Sequence, residues 1–147
     1  MEKIIKVKKL KESAVVPNKA TSLSAGFDLY ACIDSPVTIN PNDLALIGTG
    51  LAIEIENKKY TAFLFARSGL GVKHGITLSN GVGVVDNDYR GEIKIGLCNV
   101  SSEPYTISNG ERIAQMVIMK TPEFNFVVCD QLSDTERSSG GFGSTGK

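Results

Sequence analysis

Short runs of apolar and β-branched residues recur along the chain, separated by Gly, Pro, Asn and Asp. Several runs alternate apolar and polar positions, as at residues 92–95, which predicts strands with one buried face. Residues 62–66 are apolar throughout, which is typical of a strand covered on both faces, within the fold or by another subunit. The runs predicted as strands read IIKVKKL, FDLYACI, LALIGTGLAIEI, YTAFLFA, EIKIGLCN, ERIAQMVIM and FNFVVC.

Turn signals lie between these runs, and helix signals are scarce. PND at residues 41–43, SNG at 79–81 and 108–110, and TPE at 121–123 are typical turn sequences. Only residues 70–73 are expected to form a short helical turn, because the glycines around them disfavour a longer helix. The pattern therefore predicts an all-β sandwich or barrel, and we find no internal repeat.

The composition changes near the C-terminus. The apolar pattern stops after Leu132, where Ser, Thr and Gly dominate. The 147 residues, of which 41% are hydrophobic, suit one domain with a sizeable core. We therefore predict one all-β domain, a sandwich or barrel, over residues 1–132 and a C-terminal arm over residues 133–147.

Charge and cysteine content exclude several classes of protein. Sixteen Lys and Arg balance sixteen Asp and Glu, so no overall field attracts nucleic acid or an anionic membrane, and any anion site must be local. The three cysteines lack C-x-x-C spacing, which favours neither a disulfide framework nor a zinc site. With no signal-peptide pattern or membrane span, we expect a cytoplasmic protein, or a nuclear one in a eukaryotic or viral source, with no nucleic-acid or membrane partner.

The densest group of polar residues follows an apolar strand at residues 82–85. The alternation that resumes at residue 92 predicts a hairpin, with Asp86 at a strand end where a carboxylate can act as general base on water. Tyr89 lies close by as a flat wall. An EF-hand is disfavoured because Leu97 stands where the bidentate carboxylate belongs. An ordinary solvated turn is the alternative interpretation.

Two other stretches contain groups suited to chemistry. Arg67, Ser68 and Gly69 follow a buried strand and combine a guanidinium, a hydroxyl and backbone N–H groups, which suits a phosphate. A surface arginine beside a glycine turn is the plainer interpretation. Asp28 interrupts an apolar strand, which costs stability unless the acid is paired, near a metal or facing outward. His74, the single histidine, is expected to be structural or solvated.

The last seven residues have the G-x-x-x-x-G-K spacing of a P-loop. A P-loop requires a strand before its glycines and a helix after its lysine, and we expect neither here. By default, a polar, Gly- and Ser-rich segment is a solvated tail. An anion-binding nest of backbone N–H groups, with Arg137 and Phe142 nearby, is the alternative.

Five segments, in order, resemble the motifs of the trimeric dUTPase family. They read AGFDL at 25–29, RSGL at 67–70, GVVDNDYRG at 83–91, GERIAQ at 110–115 and RSSGGFGSTG at 137–146. The resemblance implies a jelly-roll-like β-barrel, assembled as a homotrimer with three active sites between subunits. It also implies hydrolysis of dUTP to dUMP and pyrophosphate, which keeps uracil out of DNA and supplies dUMP for thymidylate synthesis. The arm would close over nucleotide bound at a neighbouring subunit.

The same resemblance implies roles for individual residues. Asp86 is similar to the general base that directs water onto the α-phosphorus, and Asp28 to the acid that touches the hydration shell of a Mg²⁺ ion held mainly by the substrate phosphates. Tyr89 would lie under the deoxyribose and exclude a 2′-hydroxyl, while Phe142 would stack on uracil. The implied uracil contacts are Asn80, Gly83, Val84, Val85 and Lys94. The implied phosphate contacts are Arg67, Ser68, Gly69, Gln115, Arg137, Gly143, Ser144 and Thr145.

Three positions depart from the family pattern without removing a functional group. Ala66 precedes the second motif where proline is frequent, Gly71 stands where alanine is frequent, and Ser138 follows Arg137 where glycine is common. Two alternatives remain open. One is a dCTP deaminase-like enzyme of the same fold, which typically has R-S-S in the second motif and lacks the glycine-rich fifth motif. The other is a non-catalytic nucleotide-binding or regulatory module.

Overall fold

The structure, a computed structural model of the chain, describes residues 4–141. Within that range the chain forms eleven strands and one short helix. In chain order these elements are β1 (Ile5–Lys9), β2 (Phe27–Tyr30), β3 (Val37–Ile39), β4 (Leu44–Gly48), β5 (Leu51–Ile55), β6 (Tyr60–Phe65), α1 (Ser68–His74), β7 (Ile76–Leu78), β8 (Gly83–Val85), β9 (Lys94–Asn99), β10 (Tyr105–Ile107) and β11 (Arg112–Lys120).

The strands pair antiparallel in four sheets. The largest has the order β2-β11-β6-β8, and a three-stranded sheet has the order β4-β9-β7. β1 pairs with β5, and β3 pairs with β10. β11 thus lies between β2 and β6, so residues from three distant parts of the sequence meet on one sheet.

One hydrophobic core receives side chains from every strand from β2 to β11. In β9 the alternating pattern directs apolar side chains into this core: Ile95 and Leu97 are buried, while Lys94 is exposed. Fully burying a Leu or Ile side chain stabilises the fold by about 1.5–3 kcal/mol. The predicted all-β fold is confirmed.

Six of the seven predicted runs coincide with strands. The run over residues 44–55 divides into β4 and β5 at Thr49 and Gly50. Gly50 has φ of 66°, and a Cβ there would lie 2.8 Å from Sγ of Cys32, so both the backbone conformation and the close packing require glycine. The sequence pattern did not predict β3, β7 and β10, which have three residues each.

The seventh run, FNFVVC at residues 124–129, is not a strand in the described chain. β11 ends at Lys120, and Phe126 and Val128 are fully exposed. A strand needs a neighbour to accept its backbone hydrogen bonds, and none of the described strands pairs with this segment. The prediction of a strand is therefore wrong for the isolated chain.

The predicted hairpin between residues 82–85 and 92–97 is also wrong. β8 pairs with β6, whereas β9 pairs with β4 and β7. The chain passes from one sheet to the other through residues 86–93, a connection longer than the two- to five-residue loops of hairpins. The polar residues in this connection therefore lie between two sheets and not at a hairpin tip.

The helix is longer than the predicted turn at residues 70–73. α1 ends at His74 and is capped by Gly75, whose φ is 66° and whose N–H donates to the carbonyl of Gly71 at 3.1 Å. A left-handed glycine at this position is a common helix terminator. Among residues 4–141, no helix has the length and hydropathy needed to cross a bilayer.

Asn99 provides a test of how the fold is held together. This fully buried amide donates to the carbonyls of Ile39 (2.9 Å) and Glu103 (2.7 Å) and accepts from the backbone N–H of Ser101 (2.9 Å). We expect Asn99→Ala to lower the free energy of unfolding by about 2–3 kcal/mol, because it leaves buried backbone groups without partners. Urea denaturation at one fixed protein concentration measures this change.

The matched control is Asn40→Ala, which removes an amide that donates to Asp43 in an exposed turn. We expect that change to stay within about 0.5 kcal/mol of the unchanged protein. Equal unfolding free energies for the two variants would contradict the role given to Asn99.

Candidate functional site

A pocket of about 370 Å³ is lined by residues of both larger sheets. Leu64 of β6 and the β8 residues contribute from one sheet, and Leu46 of β4 and Lys94 of β9 contribute from the other. The structure brings together here every described residue that the sequence predicted for contact with uracil or the sugar, together with the predicted general base. These residues are Asn80, Gly83, Val84, Val85, Asp86, Tyr89 and Lys94.

One wall of the pocket is the strand β8, which lies at the edge of its sheet. Of the described strands only β6 pairs with it, so its outer backbone N–H and C=O groups are not used by another strand. A Cβ at Gly83 would lie 2.9 Å from Cβ of Leu64. Glycine therefore lets β8 lie close to β6 and present its backbone edge to the pocket.

Asp86 comes directly after β8 and is exposed. Its backbone carbonyl accepts the N–H of Tyr89 at 3.1 Å, which closes a turn. Among the described residues no donor binds its carboxylate. An unpaired carboxylate at the pocket wall remains available to accept a proton from water.

The side chain of Tyr89 is held at its hydroxyl end. Its hydroxyl donates to the carbonyl of Glu92 at 3.0 Å, and its ring lies so close to Gly91 that a Cβ there would overlap it. Arg90 donates to the carbonyls of Asn87 (2.6 Å) and Tyr89 (3.0 Å) and tightens the same loop. These contacts hold the tyrosine ring in the lining of the pocket.

A second cluster forms where β2 and β6 flank β11. The register places Gln115 opposite Asp28 on one side and opposite Phe65 on the other. The Asp28 carboxylate is only 13% exposed and accepts hydrogen bonds from Nε of Arg67 (3.1 Å) and Nη1 of Arg112 (3.2 Å). Two cations on one carboxylate leave this cluster with net positive charge, which favours an anion.

Backbone contacts fix the shape of the cluster. Nε2 of Gln115 donates to the carbonyl of Ala66 at 3.0 Å, and Nη1 of Arg67 donates to the carbonyl of Arg112 at 3.1 Å. The amide oxygen of Gln115 lies over Gly26, where an added Cβ would come within 2.8 Å. Glycine in the first motif thus makes room for glutamine in the fourth.

Ser68 and Gly69 are exposed at the beginning of α1, immediately after Arg67. A Cβ on Gly69 would meet nothing within 4 Å, so the space beside it is open. The three predicted phosphate residues therefore share one accessible segment next to the Asp28 cluster.

Sequence reasoning missed Arg112, Asn87 and Glu92. Arg112 lies in the predicted fourth motif, but its contact with Asp28 depends on the pairing of β11 with β2. Asn87 lies in the third motif and Glu92 directly follows it, and their partners lie at the two ends of β5. Their presence in polar motifs was the only available signal, because these partners are distant in sequence.

Within one chain the pocket and the Asp28 cluster are separate. The pocket is lined by none of Asp28, Arg67 and Gln115. The residues assigned to the base and sugar thus form one group, and those assigned to the phosphates form another.

The described part of the C-terminal segment contains Arg137, which is exposed and lines no part of the pocket. Its Nε donates to the carbonyl of Gly140 at 2.8 Å. Ser138 has φ of 45°, in the left-handed region that favours glycine, so this departure from the family pattern strains the turn. The other predicted arm contacts, Phe142, Gly143, Ser144 and Thr145, lie outside the described residues.

His74 packs against another ring. Its centroid lies 4.7 Å from that of Tyr105, whose hydroxyl donates to Oε1 of Glu111 at 2.6 Å. Burial, together with that hydrogen bond, raises the pKa of Tyr105 to about 12, so the phenol remains a donor at neutral pH. The histidine therefore joins α1 to β10, in agreement with a structural role.

Known proteins resemble the chain along most of its length. A family model described as dUTPase matches residues 12–146. The deoxyuridine 5'-triphosphate nucleotidohydrolase of Desulfitobacterium hafniense (strain DSM 10664 / DCB-2) is 50% identical over 131 residues, which cover 89% of this chain and 87% of that protein. The protein of the same name from Neisseria meningitidis serogroup B is 51% identical over 132 residues, which cover 90% and 88%.

A solved structure resembles the fold as a whole. Staphylococcus bacteriophage 80alpha dUTPase with dUPNHPP has a TM-score of 0.88 at 26% identity, covering 98% of this chain and 99% of that chain. This likeness confirms the predicted jelly-roll-like all-β fold. Because the family model and relatives at about half identity cover nearly all of it, the chain belongs to the dUTPase family.

Proposed function

We propose that the protein hydrolyses dUTP to dUMP and pyrophosphate, which keeps uracil out of DNA and supplies dUMP for thymidylate synthesis. The observation that supports this most strongly is the pocket, where a free strand edge, the carboxylate of Asp86 and the ring of Tyr89 meet. Family membership supports the same substrate, since the relatives are named for it.

The exposed backbone edge of β8 would recognise the uracil ring through hydrogen bonds. Uracil and cytosine differ in the polarity of their hydrogen-bonding edge, and backbone N–H and C=O groups offer a donor and an acceptor in fixed geometry. Asn80 and Lys94 would add polar contacts from the pocket wall. Close packing against the same strand would exclude the methyl group of thymine.

Asp86 would act as the general base. Hydrolysis at the α-phosphorus requires a water molecule aligned with the leaving pyrophosphate and relieved of its proton as it attacks. The carboxylate accepts that proton, and the leaving oxygen carries the negative charge. No covalent nucleophile is needed, because alignment and charge stabilisation account for most of phosphoryl-transfer catalysis.

The Asp28 cluster would hold the phosphates. Arg67 offers a guanidinium, Ser68 a hydroxyl, Gly69 an open backbone N–H and Gln115 an amide. The excess positive charge of Arg67 and Arg112 over Asp28 would stabilise the charge that develops on the transferred phosphate and on pyrophosphate.

The donor set fits a metal ion that the substrate carries. Among residues 4–141, no group of three or more His, Cys, Asp or Glu is arranged to hold a metal, and Asp28 is already bonded by two guanidiniums. A Mg²⁺ ion brought in by the substrate would therefore be held by Asp28 through water. Such an ion supplies charge neutralisation at the phosphates.

Two observations support a homotrimer with sites shared between subunits. The pocket and the Asp28 cluster are separate in one chain, so a complete site needs the two groups brought together across an interface. The segment after β11 also exposes several large apolar side chains, which a monomer rarely leaves in water. They are Phe124, Phe126, Val127, Val128 and Leu132.

The arm over residues 133–147 would close the site of a neighbouring subunit. A polar segment that orders on binding excludes water and completes a site. Phe142 would stack on uracil, and Arg137, Gly143, Ser144 and Thr145 would contact the phosphates. Residues 1–132 would form the barrel domain that supports it.

A nucleotide panel tests the function directly. With Mg²⁺ present, we expect pyrophosphate and dUMP from dUTP, and far slower turnover of dCTP, dTTP and UTP, because the strand edge and Tyr89 reject them. Asp86→Asn should lower kcat at least about 100-fold, since the amide cannot accept the proton.

The matched control for Asp86→Asn is Asp34→Asn, which alters an exposed acid that pairs with Lys11. That variant should retain full activity. Ammonia released from dCTP would favour the deaminase-like alternative, and tight dUTP binding without turnover would favour a non-catalytic module.

Removing residues 133–147 tests the arm. We expect the truncated protein to sediment as a trimer and to lose most of its turnover, because the arm no longer closes the site. Analytical ultracentrifugation and steady-state kinetics measure the two properties. Unchanged turnover would remove the arm from the mechanism, and a monomeric full-length protein would reject the shared site.

Tyr89 provides the test of sugar selection. Tyr89→Ala should let UTP compete with dUTP roughly tenfold better, because the wall that excludes the 2′-hydroxyl is gone. Tyr89→Phe retains the ring and loses only the bond to the Glu92 carbonyl, so it should keep the discrimination. Equal UTP inhibition constants for Tyr89→Ala and the unchanged protein would mean that another residue excludes the 2′-hydroxyl.

A further inference from the structure

We propose that Asn87 and Glu92 are positioning residues for hydrolysis, because they fasten the loop that carries Asp86 and Tyr89 to the two ends of strand β5. The inference rests on the proposed role of Asp86 as general base. Neither residue is among those assigned to substrate. Each binds the protein at a different end of the same core strand, and the loop is held between them.

Asn87 fastens the first half of the loop. Its Nδ2 donates to the carbonyl of Tyr60 at 2.9 Å and lies 3.3 Å and 3.4 Å from the carbonyls of Ile55 and Asn57. Ile55 is the last residue of β5, and Tyr60 is the first residue of β6. The half-buried amide thus lies among three carbonyl oxygens, which share its two N–H donors.

Glu92 fastens the second half of the loop. Its Oε1 accepts the backbone N–H of Gly50, directly before β5, at 2.8 Å. The carboxylate is 24% exposed and lies against Gly48, where a Cβ would come within 2.6 Å of Oε1. Its other oxygen lies 3.7 Å from Nζ of Lys94, which lines the pocket.

The backbone beside Glu92 continues the attachment. The N–H of Ile93 donates to the carbonyl of Leu51 at 2.8 Å, and the hydroxyl of Thr49 donates to the carbonyl of Ile93 at 2.7 Å. The carbonyl of Glu92 itself accepts the hydroxyl of Tyr89. Glu92 therefore positions the Tyr89 ring through its backbone carbonyl and the loop through its side chain.

β5 is a suitable anchor because it is buried. Leu51, Ile53 and Ile55 are each at most 6% exposed, and side chains packed in a core hold one arrangement. The loop, in contrast, is not part of any sheet and would move without its two attachments. Asp86 immediately precedes Asn87, so the first attachment limits the position of the carboxylate most directly.

The expected consequence is a loss of kcat with little loss of binding. A misplacement of about 1 Å at a catalytic group can lower the rate 100-fold. Most of the proposed base contacts lie on β8, and the phosphate contacts lie in the Asp28 cluster. Both are outside the loop, so a ground-state ligand should still bind.

The test compares Asn87→Ala and Glu92→Ala in the full-length protein, with Asn40→Ala as the matched control in an exposed turn. We would measure kcat and KM for dUTP with Mg²⁺, and the Kd of the imido analogue dUPNHPP by calorimetry. We expect kcat to fall roughly 10- to 100-fold in both loop variants, Kd to change less than about threefold, and the control to match the unchanged protein.

Conservative variants separate positioning from folding. Glu92→Gln keeps the oxygen that accepts the Gly50 N–H, so it should recover most of the kcat lost in Glu92→Ala. Should Asn87→Ala fail to fold, Asn87→Ser keeps one donor and should show an intermediate kcat at unchanged Kd.

Three results would overturn the proposal: kcat within twofold of the unchanged protein in both alanine variants, equal losses of kcat and analogue affinity, or a Glu92→Gln variant as slow as Glu92→Ala. If Asp86→Asn abolishes activity and neither alanine variant lowers it, the anchoring is overturned and the proposed function stands. A protein without dUTP hydrolysis would overturn both.

Discussion

The passage of the chain from β8 to β9, between two different sheets, is the constraint on which the candidate site depends. β8 pairs with β6, and β9 pairs with β4 and β7, so residues 86–93 cannot close as a hairpin. The edge of β8 stays open as a result, and a pocket forms between the sheets. Since no ladder of backbone hydrogen bonds holds the connection, side chains from within it attach it to the core.

The second half of the site depends on β11. By pairing with β2 and β6 at once, this strand brings Asp28, Arg67, Arg112 and Gln115 together from three parts of the sequence. The half-buried carboxylate of Asp28 organises the two arginines, and removing it would leave two neighbouring cations without their counter-charge. The charged groups of the cluster are therefore in place before any ligand arrives, as the proposed phosphate site requires.

The sequence predicted the parts of this protein that local pattern determines. Alternation and turn residues located eight of the strands, and the motifs located Asp86, Tyr89 and Arg67. What failed depended on strand pairing. Three-residue strands such as β7 leave too short a pattern, and residues 124–129 have strand composition but no partner strand among the described residues. The third motif resembled a hairpin because local sequence does not specify which sheet receives a strand. Arg112, Asn87 and Glu92 were missed for the same reason, because their partners are distant in sequence.

The account depends most directly on where Asp86 lies relative to the bond that is broken. A crystal structure with dUPNHPP and Mg²⁺ measures this. We predict one water molecule between the Asp86 carboxylate and the α-phosphorus, in line with the leaving group, with the base on the edge of β8 and the phosphates on Arg67 and Gln115 of a neighbouring subunit. An Asp86 carboxylate remote from the α-phosphorus, with no water between them, would contradict the account.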